Sequence, residues 1–217
     1  MVFVFVFAFA ELARVGVGCI TLCDGDKVES RNLGEMKLVT DADIGRNKAE
    51  VIVEKVTELR RTNEKNDRFD FRAVKSFNFE GTEPHGIAKE SDVLICCVDS
   101  DAARDYASYI ASRYYKVLID IGTGIVREPD GKTAVRKGYD VRMILPGDGC
   151  LRCCGGIDEA QSELEIFNSD ERNRQRVDSH RLRAGSLSSL NVSAVNEGIG
   201  LLPDLYSSGP DPDEQRL

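Results

Sequence analysis

The chain has 217 residues, with 29 Lys and Arg against 37 Asp and Glu for a net charge of −8, which excludes the basic footprint of a dedicated nucleic-acid binder. Hydrophobic residues make up 41% and charged residues 30%, so a disordered or collagen-like chain is excluded, and at ~100 to 200 residues per domain one globular domain is expected. The seven cysteines fall as Cys19, Cys23, the adjacent Cys96 and Cys97, and the cluster Cys150, Cys153 and Cys154, which is not a spaced secreted framework and points to a reducing cytoplasm.

The apolar run Met1 to Ala10 (MVFVFVFAFA) is shorter than the ~20 residues that span a bilayer. No Lys or Arg precedes it, so a signal peptide is the weaker reading and no membrane partner is expected. Ala8 to Arg14 reads as the end of a helix, broken by Gly16-Val17-Gly18, and Cys19 to Cys23 follows as an apolar strand closing on Asp24. Because Gly16 and Gly18 enter a strand and do not open a helix, they read as a turn and not as a phosphate loop.

Asp41 to Ile44 precedes a helix from about Asn47 to Arg61, on which Ala49, Ile52, Val53, Val56 and Leu59 recur at helical spacing. Arg68 to Val74 alternates as a strand, and Val93 to Val98 is a second buried run ending at Asp99. A helix from Ala102 to about Tyr114 leads into the strand Val117 to Ile121, after which Glu128-Pro129-Asp130-Gly131 reads as a turn between two further strands, the second Tyr139 to Leu145. Then come the Gly/Cys cluster, a polar stretch from about Asn168 to Arg183, a last helix from about Ser186 to Leu202, and a tail, 207–217, expected to be disordered. Strands alternating with helices predict an α/β, Rossmann-like, mainly parallel sheet with crossover helices and a C-terminal antiparallel extension.

Several residues could carry chemistry. Asp24 ends an apolar strand, where an acid can accept hydrogen bonds from ribose hydroxyls, or is a solvated loop acid. Asp99 ends another strand at the same edge and could hold Mg²⁺, or cap a helix. Lys48 opens its helix and could reach a phosphate, or be solvated. Cys150 and Cys153 have the two-residue gap of a zinc half-site, but no second such pair exists in the chain, and only His85 and His180 could substitute. Cys96 and Cys97 read as buried structural thiols. The run Glu171 to Arg183 could clamp an anionic or acidic partner, or be a solvated loop.

The motifs LARVGVGCITLCDGDKVESRNL, DIGRNKAE, CCVDS, LIDIGTG and PGDGCLRC, in this order, resemble the ThiF/MoeB/HesA adenylyltransferases, relatives of ubiquitin-activating enzymes, over about Phe7 to Tyr206. The resemblance implies a ThiF-type nucleotide-binding domain over 1–206 that uses Mg-ATP to activate the C-terminal carboxylate of a ubiquitin-like or sulfur-carrier protein as an acyl-adenylate. A homodimer is implied as well. By resemblance Asp24 would bind the ribose, Asn32 and Lys48 would face the phosphates, Asp99 would help hold Mg²⁺, and Asp26 matches the second acid of the strand-end motif. Gly122-Thr123-Gly124 resembles the loop near the partner's tail, and Cys150 and Cys153 the first half of a zinc site.

The family's first strand and Gly-rich loop would lie just before Ala8, where this chain has Val2 to Phe7. Bulky side chains there keep backbone N–H groups from approaching a triphosphate. Glu35 also stands where the family usually has an arginine. The chain therefore reads as truncated or degenerate at that loop, and the alternative expectation is a non-catalytic remnant or fragment that binds a protein partner without activating it. A nicotinamide-dependent oxidoreductase would suit the α/β order but lacks the required loop.

Overall fold

The computed structural model describes residues 6–34, 36, 38–63, 69–75, 82–98, 100–127, 134–157 and 192–202. The first helix, α1 (Val6–Arg14), buries Ala8, Phe9, Leu12 and Ala13 on one face, while Glu11 and Arg14 pair on the other at 2.6 Å. It stops at Gly16, whose φ of +94° is open to glycine at little cost. Gly16 N–H donates to Ala13 and Val17 N–H to Leu12, the paired bonds that close a glycine-capped helix end.

Released in the right direction, the chain enters β1 (Cys19–Cys23) and crosses through α2 (Lys48–Asn63) to β2 (Asp70–Val74). The two strands are parallel, with Cys19 opposite Asp70 and Cys23 opposite Val74. A second crossover repeats the pattern: β3 (Val93–Cys96), α4 (Asp101–Arg113) and β4 (Val117–Arg127), with Val93 opposite Val117 and Cys96 opposite Asp120. Then β5 (Ala134–Ile144) returns antiparallel to β4, from Leu118 opposite Ile144 to Arg127 opposite Ala134. The mainly parallel sheet with an antiparallel C-terminal extension is thus as the sequence predicts.

Three elements differ from the sequence reading, one of them β5, which begins at Ala134 and not at Tyr139. A short helix, α3 (Glu83–Glu90), precedes β3; it has Pro84 in its first turn, where the missing N–H costs nothing, and buries Pro84 and Ala88. Strand β4 runs unbroken from Val117 to Arg127, joining two strands that the sequence reading separates, because β5 supplies ladder partners along it. Residues 192–202 form a further helix, α5, within the predicted last helix.

Alternation sends strand residues to opposite faces. Ile95, Ile119 and Ile121 join α1, β1, α2 and Ala194 and Val195 of α5 in one apolar cluster, while Leu94, Cys96 and Leu118 join Ile110 and Leu151 in another. Both faces are therefore covered, as a parallel sheet requires. Among the described residues, β1 pairs with β2 alone and β3 with β4 alone, giving a two-stranded and a three-stranded sheet that share the first cluster. Among the same residues, no helix is long and apolar enough to cross a membrane. Asp99, Glu35, the run Glu171 to Arg183, His180 and the predicted tail lie outside the described residues.

Candidate functional site

The carboxyl end of β1 gathers three of the polar residues that the sequence singled out, Asp24, Asp26 and Lys48. Asp24 N–H extends the ladder by donating to Val74 at 3.0 Å, so the chain leaves the sheet only after this residue. Its Oδ1 then accepts the N–H of Asp26 at 2.8 Å, a tight turn of the kind short polar side chains form with their own backbone. Asn47 stands immediately before α2 and clamps the turn: its Nδ2 donates to the carbonyls of Asp24 at 2.7 Å and Asp26 at 3.2 Å. Its Oδ1 caps the helix by accepting Glu50 N–H at 3.1 Å.

Lys48 follows on the first turn of α2. Its N–H donates to the Asp26 carbonyl at 2.9 Å and its ammonium pairs with Asp26 Oδ2 at 3.0 Å. Asp24, Asp26 and Lys48 are thus brought together at one edge, with the lysine side chain mostly buried and the Asp26 carboxylate half exposed. Asn32 lies in the short turn Ser30–Gly34 and is buried; its Oδ1 accepts Glu29 N–H at 2.9 Å, so it shapes the loop after the acids.

Further along, the segment before α2 is fixed by Asp43, 3% exposed, whose carboxylate accepts from Thr40 N–H and Oγ1, both at 2.8 Å, and pairs with Lys55 at 2.7 Å. The Lys55 ammonium, then the Thr40 N–H, hold this carboxyl far below the usual carboxylate range. Asn47 and Asp43 were not picked out from the sequence. An Asn directly before a helix was the available signal for the first; the second depends on Lys55, twelve residues on in sequence.

A second polar group sits inside the other sheet. Asp120 of β4 is fully buried, and Arg104 of α4 grips it in fork geometry, Nε to Oδ1 at 3.1 Å and Nη2 to Oδ2. Burial opposes charge on Arg104, but the Asp120 carboxylate holds its proton more firmly still. Gly122 makes room for the guanidinium: a Cβ there would lie 3.0 Å from Nη2. Gly122, Thr123 and Gly124, which resemble the loop near a partner's tail, lie in β4 opposite Asp140, Tyr139 and Gly138.

Among the thiols, burial pushes Cys23 up to about 11 and Cys96 well above the ordinary value, so both stay protonated and structural, and Cys97 is buried as well. Cys150 and Cys153 instead lie on an outer turn with their sulfurs 3.4 Å apart. Among the described residues no group of three or more His, Cys, Asp or Glu side chains gathers to hold a metal.

The sequence profile of the ThiF family matches residues 7–199. The adenylyltransferase and sulfurtransferase uba4 of Aspergillus fumigatus is 32% identical over 144 residues, which is 65% of this chain and 27% of that protein, in each of two strains. The chain therefore spans about a quarter of the length of the curated relatives it matches. Among solved structures, E. coli MccB with ATP is 20% identical with a TM-score of 0.61, covering 93% of this chain and 53% of that one. Microcin C7 biosynthetic enzyme MccB in complex with N-formylated MccA is 19% identical with a TM-score of 0.63, covering 93% and 55%. These likenesses establish a shared fold.

Proposed function

Because the chain belongs to the ThiF family, we propose that it is an ATP-dependent adenylyltransferase acting on the C-terminal carboxylate of a ubiquitin-like or sulfur-carrier protein. The observation that carries this reading is the clamped Asp24, Asp26 and Lys48 cluster at the carboxyl end of a parallel strand, where open α/β sheets take their ligands. Its donor set suits a nucleotide: strand-end carboxylates accept hydrogen bonds from sugar hydroxyls, and an ammonium on the first helical turn faces anionic phosphate.

ATP would supply the adenylyl group, with pyrophosphate as the leaving group. Asp24 would hold the ribose, and Lys48 and Asn32 would orient the phosphate end. Lys48 is preset by Asp26, which keeps the ammonium at the edge. Asp99, immediately before the α4 cap Ser100, would take Mg²⁺ through its carboxylate. A homodimer in the reducing cytoplasm goes with this reading. It is supported by the relatives' names, since uba4 is called an adenylyltransferase and an MccB structure contains ATP.

The Val2 to Phe7 run favours a second reading, a family member that binds its protein partner without activating it. Calorimetric titration of Mg-ATP into the chain, Asp24→Ala and Asp99→Ala separates the two. The enzyme reading expects saturable binding weakened about tenfold or more in each variant, followed by ATP–pyrophosphate exchange stimulated by a peptide with a C-terminal glycine carboxylate. An inert wild-type chain that still captures such a peptide gives the second reading.

A further inference from the structure

A tetrahedral zinc site needs four ligands, and the surroundings of Cys150 and Cys153 do not complete one among the described residues. Cys154 Sγ donates to the Leu151 carbonyl at 3.4 Å, and His85 Nδ1 lies 2.8 Å from the Tyr114 hydroxyl. Cys23 and Cys96 are buried at the ends of β1 and β3, Cys97 is buried just after β3, and Cys19 belongs to the start of β1. Among the described residues the donor set thus does not fit the metal that the resemblance implies.

What the turn does hold is two thiols in near-bonding position. The Cys150 and Cys153 sulfurs are 3.4 Å apart, against ~2.05 Å in a disulfide, so side-chain rotation alone has little distance to close. Three anchors fix the turn to α4 and the core. Leu151 is fully buried, its N–H donates to buried Ser108 Oγ at 3.0 Å, and Arg152 forks onto Asp105 with Nε to Oδ1 at 2.7 Å. Gly149, at φ +117°, makes the turn that sets its Cα against Cys153, a backbone conformation that favours glycine. Cys153 is exposed and Cys150 partly so, which leaves them open to a solvent-borne reagent.

We propose that Cys150 and Cys153 are a redox-active dithiol that closes reversibly to a disulfide, with a low-molecular-weight disulfide of the glutathione class as oxidant. One thiol loses its proton to water and attacks a sulfur of the oxidant, forming a mixed disulfide and expelling one glutathione thiolate. The second thiol, also deprotonated, attacks the protein sulfur of that mixed disulfide and expels the other. Two protein thiols lose two electrons together, and one small disulfide becomes two thiols.

The test is peptide mapping by mass spectrometry of the reduced 217-residue chain after exposure to oxidised glutathione. An internal Cys150–Cys153 bond that reductant reopens is expected. Cys153→Ser should trap a glutathione adduct on Cys150, Cys150→Ser one on Cys153, and Cys154→Ser should leave the internal bond intact. Stable adducts on wild type without an internal bond would overturn the proposal. So would chelator-releasable zinc at one ion per two chains that shields both thiols, since the pair would then be half of a metal site shared between copies. The wild-type result decides the matter even if a variant fails to fold.

Discussion

Asp43 shows what a single side chain does for the site. Its carboxyl is depressed chiefly by Lys55 and then by Thr40, so the stability it adds is fully present above the unfolded carboxylate value of ~3.9 and is lost as pH falls through its lower folded value. Urea unfolding at neutral pH and near pH 3 should show this loss in wild type and less of it in Asp43→Asn. The variant itself should cost about 1 to 3 kcal/mol at neutral pH, because the Lys55 and Arg46 cations lose their carboxylate and one of its two oxygens becomes an amide donor. Arg104→Met should cost more, about 3 to 5 kcal/mol, because it strips the fork from a fully buried Asp120 and leaves Arg142 at 4.0 Å as the remaining cation. Pairing it with Asp120→Leu should recover part of that loss in the same assay. Neither the Asp43–Lys55 nor the Arg104–Asp120 ion pair can be read from sequence spacing, since each joins residues from different elements.

Helix and strand ends behave differently, because local chemistry sets them. The Gly16 cap, the Asn47 cap and the Ser100 cap, whose Oγ accepts Ala103 N–H at 3.3 Å, all stand where turn and cap residues interrupt an apolar period. Asn47→Ala should therefore cost about 0.5 to 2 kcal/mol and also loosen the Asp24–Asp26 turn, read as weaker nucleotide binding beyond the stability loss. The docking of α5 on β4 was not legible. A Cβ on Gly198 would lie 2.6 Å from Ile121 Cδ1, so Gly198→Ala should destabilise by about 1 to 3 kcal/mol despite alanine's better helix propensity. Ile121→Val, which removes that methyl, should relieve part of the clash in thermal unfolding of the double variant.

For the whole molecule, the two sheets share one apolar cluster although no described strand pairs with both. Nucleotide binding at the β1 edge would act on the folded state as a unit. At a concentration one hundred times the dissociation constant, Mg-ATP should add about 2.7 kcal/mol to wild type, and a tenfold weaker Asp24→Ala should forfeit about half of it at the same nucleotide concentration. A rise in the thermal midpoint that tracks nucleotide concentration is the readout.

The sequence by itself determined the alternation of strands and helices, the placement of Asp24 at a strand end and of Lys48 at a helix start, and membership in a family whose motifs keep their order along the chain. Those properties are local or collinear: apolar periodicity, caps and turn residues act within a few positions of one another. Only the tertiary structure decided that Asn47 holds the carbonyls of both acids, that Arg104 needs Gly122 to be bare, and that two thiols meet on a pinned turn. Each of these depends on the directions in which separate elements present their side chains, and packing sets those directions only once the whole sheet and its helices are assembled.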